Sequence, residues 1–198
     1  MPPHGLAVPV PRSCLSTSLR PMSDFSDDAA IRAENLTRTF GSFVAVDSIS
    51  LSVAPGEVIG FLGANGAGKT TAIKMFTGLL APSAGTAYTA GFNVSDAPEK
   101  VKQRIGYMSQ RFALYDDLTV RENVQFYAGV YGLSDDEIET RMEAMLERLD
   151  FMHGLRERVG RLPLGWKQKL AFSVALMHEP DIVFLDEPTG GVDPVTRR

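Results

Sequence analysis

From Ile31 onward the apolar and polar positions fall into short blocks, each with a readable period. Val46 to Val53 reads VDSISLSV, with Ile49, Leu51 and Val53 on one side and Ser48, Ser50 and Ser52 on the other. That two-residue period predicts a half-buried strand. After the turn APGE, the run EVIGFL (Glu57 to Leu62) is short and almost wholly apolar. It predicts a strand covered on both faces, as in a parallel sheet. GANGAGKTT follows, and then AIKMFTGLL predicts a helix that the APSAG break ends. GTAYTAG reads as a short strand, PEKVKQR as a helix and IGYMS as a buried strand.

From Arg111 to about Gly160 the period changes to that of helices, and no strand is expected. TVRENVQFYAGVYGL and SDDEIETRMEAMLERLD carry the pattern. In the second, Ser134 and Glu137 form an S-x-x-E capping box, and Ile138, Met142, Met145, Leu146 and Leu149 share one stripe. The acids Asp135, Asp136, Glu137, Glu139 and Glu143 read as a solvated face, those in the first turn favoured by the helix dipole, in preference to a cation site. The methionines and aromatics of this region are expected in a core. KQKLAFSVALMH then predicts a helix, and DIVFLDE another buried strand.

Composition narrows the class. The chain has 198 residues, 44% hydrophobic and 22% charged, enough for one substantial core. Its net charge of −4, with both signs mixed along most of the chain, gives no strong attraction to nucleic acid or anionic lipid. Cys14 is the only cysteine, so no intrachain disulfide forms. No apolar run approaches the roughly 18 to 20 residues that cross a bilayer. The first 29 residues differ, with prolines at 2, 3, 9, 11 and 21 and no acid before Asp24. They read as a disordered leader, or as sequence upstream of initiation at Met22, in preference to a transit-like segment carrying Arg12 and Arg20.

Two stretches carry chemistry. Gly63 to Thr70, GANGAGKT, matches G-x-x-x-x-G-K-[ST] and stands where that motif works, after a predicted buried strand and before a predicted helix. Glycines at 63, 66 and 68, with Asn65 and Ala67 between them, let successive amides turn toward one anion at a helix N-terminus. Lys69 then reaches the β- and γ-phosphates, and Thr70 offers a hydroxyl to Mg²⁺. DIVFLDEPT supplies the second half: an apolar strand delivers Asp186 to its C-terminal end, where it can hold Mg²⁺, and Glu187 beside it can orient or polarise a water.

With these motifs the chain resembles the ATP-binding cassette family from about residue 31 to 198. The resemblance implies an α/β P-loop NTPase fold: a mixed, mostly parallel sheet core, a small antiparallel β subdomain, and a helical subdomain inserted at about 111–165. It implies ATP and Mg²⁺ as cofactors. Phe40, in LTRTFGSF, stands where the family sets an aromatic ring against adenine, though a core position would also suit it. Gln110, closing IGYMSQ, matches the glutamine that joins the metal site to the helical subdomain, and Thr71 extends the phosphate-binding set. GGVD (Gly190 to Asp193) resembles the loop that crosses the dimer interface.

The segment RLPLGWKQKL occupies the place of the family's LSGGQ, a helix N-terminus that presses on ATP held by an opposite cassette. Only Leu162 and Gly165 persist; Pro163 offers neither hydroxyl nor N–H, and Leu164 brings a side chain where glycine permits close approach. It reads as a variant trans-acting phosphate sensor, or as a proline-capped helix start without nucleotide contact; Lys167 and Lys169 could offset part of the loss. LPLGWKQKL and HEPDIVFLDEPTGGVDP together look like the branch serving the second class of exporters. The family's late histidine has no match: His4, His153 and His178 stand elsewhere, and His178 reads as a helix C-terminal residue favoured by the dipole. A piece of a longer polypeptide, or an impaired cassette, is therefore expected.

The resemblance implies an ATPase subunit of an exporter, peripheral on the cytoplasmic face of the membrane, paired with a second cassette and a separate permease. Glu187 would be the base, with Gln110, Asp186 and Thr70 managing Mg²⁺ and water. A non-hydrolysing half is one rival. A soluble cassette acting on ribosomes or DNA is another, but neither a basic arm nor a long coiled-coil insertion lies between the two motifs.

Overall fold

The computed structural model describes residues 29–109, 114–149 and 154–186. β1 (Ile31–Phe40) and β2 (Phe43–Val53) form an antiparallel hairpin, and β3 (Ala84–Thr89) and β4 (Phe92–Asn93) complete a four-stranded sheet in the order β2-β1-β3-β4. This is the small antiparallel unit implied by the resemblance. In β2 the predicted alternation appears with Val53 buried and Ile49 and Leu51 packed against the core. β1 was not legible as a strand: Asn35 sits at φ 47 and the pairing with β2 shifts register at three places, so its side chains keep no strict period.

α1 (Lys69–Phe76) buries Ala72, Ile73, Met75 and Phe76 in a core shared with both sheets. Met75 and Phe76 are fully covered, and each such side chain contributes about 1.5–3 kcal/mol. The helix stops at Thr77 and Gly78, ahead of the expected APSAG break, because Gly78 turns at φ 68 and its Cα lies where an added Cβ would touch Pro98 at 3.2 Å. Thr89 Oγ1 donates to the Phe76 carbonyl at 2.8 Å, tying the end of α1 to β3.

α2 (Pro98–Arg104) leads into β5 (Ile105–Met108), which pairs parallel with β6 (Ile182–Leu185). The expected strand Glu57–Leu62 is not formed. No strand among the described residues hydrogen-bonds to it, and Val58 and Leu62 are 96% and 98% exposed. Its backbone and β6 both line an apolar groove of about 910 Å³, with Phe61, Ile73, Val183 and Leu185 in the wall.

α3 (Val120–Val130) and α4 (Asp135–Arg148) make the helical insertion, both opened by capping boxes, Thr119 with Glu122 and Ser134 with Glu137. The hydrogen bonds from the backbone and hydroxyl of Ser134 hold the Glu137 carboxyl below its usual range. Ile138, Met142, Met145 and Leu146 are buried as expected, with Val120, Val124, Val159 and part of α5 (Leu164–Leu176) in a second core. The aromatics depart from expectation: Tyr115 and Phe126 form an edge-to-face pair that stays about half exposed.

Candidate functional site

The phosphate loop owes its shape to steric necessity. Gly66 and Gly68 lie at φ 83 and 81, where side chains are strained. At Gly68 an added Cβ would meet the Ala45 carbonyl oxygen at 2.1 Å, so only glycine lets β2 lie against the start of α1. Gly68 is also the N-cap, with no side chain capping the first turn, so the amides that open α1 face the loop's concavity with the helix dipole behind them. Asn65 and Ala67 are exposed on the loop, and the Ala67 amide donates to the Ala64 carbonyl at 3.1 Å. Thr71 is half-buried in the first turn. The Lys69 amine folds back over the loop, donating to the carbonyls of Gly63 at 2.8 Å and Ala64 at 2.9 Å.

Thr70 and Asp186 meet. The Thr70 hydroxyl donates to Asp186 Oδ1 at 3.0 Å, and the carboxylate, only 4% exposed, stands just past the end of β6. Its own amide donates to the Met108 carbonyl at 2.9 Å, which fixes its position against β5. On β5 the Tyr107 hydroxyl is held above its usual pKa, first by burial and then by the Asp186 charge. A hydroxyl and a carboxylate, both hard oxygen donors beside an anion-binding loop, suit Mg²⁺, which takes few protein ligands and completes its shell with phosphate oxygens and water.

The other predicted residues fall in three places. Phe40, 47% exposed, is at the tip of the β1–β2 hairpin, where Arg38 lies 4.7 Å from its ring centroid. The same hairpin carries Ala45, the residue in contact with Gly68, so the aromatic tip and the phosphate loop are neighbours. Gly165 is in the first turn of α5, on the helical unit, with open space where a Cβ would project. Gln110, Glu187 and the GGVD loop lie outside the described residues.

In RLPLGWKQKL, Pro163 is the N-cap of α5 and gives no side-chain cap, while Leu164 is exposed. Both lysines are engaged within the chain: Lys167 donates to Asp116 at 2.8 Å, and Lys169 lies over the Trp166 ring at 4.9 Å. Sequence reasoning missed Asn123, fully buried in α3, whose side chain bonds both the amide and the carbonyl of Tyr115. A polar residue amid apolar positions of a helix was the available signal.

His178 is at the C-terminal end of α5, as the sequence suggests, and has partners the sequence does not show. Its ring is stacked on Tyr131 at 3.6 Å, and Nε2 donates to the Ile105 carbonyl at 3.0 Å. Burial lowers its pKa and the Arg141 charge adds to this, while the bond to Ile105 works against both. Arg141 is held by the Met177 carbonyl and lies 3.9 Å from Glu179. With the folded pKa below the unfolded value, the contribution of His178 is complete above the unfolded value and is lost as pH falls through the folded one. Between about pH 7.5 and pH 5.5 the melting temperature of the native chain is expected to fall more than that of His178→Gln, which keeps a donor but cannot titrate. Parallel slopes in the two proteins would remove this role.

The ABC transporter family profile matches residues 46–190. "Probable multidrug ABC transporter ATP-binding protein YbhF" of Escherichia coli is 44% identical over 186 residues, covering 94% of this chain and 32% of that protein. "ABC transporter ATP-binding protein NatA" of Bacillus subtilis is 44% identical over 150 residues, covering 75% of this chain and 61% of the relative. The chain thus spans about a third of one relative and three fifths of the other. Among solved structures, cbiO1 from Clostridium perfringens, described as part of the ABC transporter complex cbiONQ, superposes with a TM-score of 0.73 at 31% identity, covering 85% of this chain and 69% of that one. A match to the family profile over most of the chain, joined to a phosphate loop whose threonine is hydrogen-bonded to a strand-end aspartate, means that this protein belongs to the ABC transporter family and carries its ATP-binding cassette.

Proposed function

We propose that the chain binds and hydrolyses Mg·ATP as the cassette of an export-type transporter, working with a second cassette and a separate membrane permease on the cytoplasmic face. The observation that carries this is the Thr70–Asp186 hydrogen bond, which brings the anion-binding loop and the metal-binding carboxylate to one point. Lys69, Thr71 and the amides of Gly63, Asn65, Gly66, Ala67 and Gly68 hold the phosphates. Phe40 presents the ring face not covered by Arg38 to adenine. Bound Mg²⁺ supplies charge neutralisation at the β- and γ-phosphates. Gln110 and Glu187 hold and polarise the attacking water. One relative named as a probable multidrug ABC transporter ATP-binding protein supports the transporter reading, and a solved structure described as part of a transporter complex supports work within a larger assembly. Among the described residues no helix is long and apolar enough to cross a membrane.

Gly165 and the first turn of α5 meet the γ-phosphate of ATP held by the opposite cassette. Pro163 weakens that contact, because a charge-assisted hydrogen bond of about 1.5–3 kcal/mol has no donor there. Steady-state ATP turnover, measured with and without a partner cassette, tests the reading. The double change Pro163→Ser with Leu164→Gly should raise turnover about tenfold or more, the rate equivalent of one such bond. An unchanged rate would remove the α5 start from the nucleotide site.

A further inference from the structure

We propose that the Asp116–Lys167 pair is a positioning device that fixes the start of α5, and with it the trans-acting phosphate contact; this rests on the functional reading above. Residues 115–121 form a hydrogen-bonded mount. Asn123 clamps Tyr115 through its amide at 2.8 Å and its carbonyl at 3.0 Å. Along the mount, Val159 donates to the Leu118 carbonyl at 2.9 Å, Val120 to the Glu157 carbonyl at 3.0 Å and Arg121 to the Leu155 carbonyl at 3.1 Å. Gly160 donates to the Asp116 carbonyl at 2.9 Å, and an added Cβ at Gly160 would lie 2.9 Å from that same oxygen. Glycine is what allows this approach.

The backbone ties to the mount reach Gly160, inside the turn Val159–Arg161 that leads the chain into Leu162 and Pro163. Pro163 caps α5 without a side-chain bond, and its carbonyl accepts the amides of Trp166 at 2.9 Å and Lys167 at 3.1 Å, which close the first turn on itself. Lys167 ties that turn to the mount from the far side. Helical side chains lean toward the N-terminus of their helix, so its amine returns to the mount and meets the Asp116 carboxylate at 2.8 Å. The lysine side chain is 19% exposed and its partner 67%. An exposed pair of this kind adds little to stability, so its consequence is placement. Asp116 thereby holds both ends of the turn: its carbonyl takes Gly160 and its carboxylate takes Lys167.

Trp166, the only tryptophan, is half-buried next to Lys167 and reports on this turn directly. The test uses the full chain with Asp116→Asn, Lys167→Met, the double variant and Lys167→Arg, reading acrylamide quenching of Trp166 and the kcat and KM for ATP. Each single change is expected to raise quenching and to lower kcat by about 3- to 10-fold with KM unchanged, since misplacing a contact group costs turnover more than ground-state binding. The double variant should match the singles, and Lys167→Arg should restore both readouts. Unchanged quenching in the singles, or losses that multiply in the double variant, would overturn the proposal. A wild-type chain without ATP turnover would overturn the functional reading instead, and the quenching series would still decide whether the pair sets the turn.

Discussion

Lys69→Ala is expected to weaken ATP binding by about a hundredfold or more. The native amine is folded over the loop at 2.8 and 2.9 Å from two of its carbonyls, so it lies at the proposed phosphate site. Losing the cation proposed to make charge-assisted bonds to two phosphates should remove at least about 2.7 kcal/mol, a hundredfold in Kd. The fold should be unaffected, because the residues of α1 that enter the core are Ala72, Ile73, Met75 and Phe76. Titration with a fluorescent nucleotide checks this; affinity within about threefold of the native chain would contradict it.

Asp186→Asn separates catalysis from stability. The carboxylate is nearly buried and accepts one hydrogen bond from Thr70. Asparagine keeps its size and that acceptor but removes the charge. Mg²⁺-dependent turnover should fall by about 10²- to 10³-fold, while binding of nucleotide without metal persists. The melting temperature should hold or rise, because a buried charge with few partners costs free energy. Magnesium titrations beside thermal melts read both effects. A lower melting temperature with unchanged magnesium dependence would make Asp186 a structural residue.

These two residues were legible in the sequence because their chemistry is local. GANGAGKT needs glycine at 66 and 68 for its backbone, and an apolar strand leaves Asp186 at its end whatever surrounds it. The capping box at Ser134 and the buried stripe of α4 were readable for the same reason: each is decided within a few residues. What failed depends on distant partners. EVIGFL has the pattern of a strand covered on both faces, but a strand also needs hydrogen-bonded neighbours, and the described residues give it none. β1 was hidden by its register shifts. His178 was readable as a helix end, but its partners Tyr131 and Ile105 are far away in sequence and only the fold brings them to it. Lys167 looked available to a phosphate, and only the fold pairs it with Asp116.

The central claim is that two such cassettes close on ATP and that Glu187 then drives hydrolysis. Glu187 follows the buried Asp186 directly. Light scattering of Glu187→Gln tests the claim most directly, since the amide cannot act as a base but leaves the phosphate loop intact. With Mg·ATP the mass should double, and with ADP or no nucleotide it should return to the monomer. A chain that stays monomeric at saturating ATP, or that hydrolyses ATP at the native rate, would contradict the account.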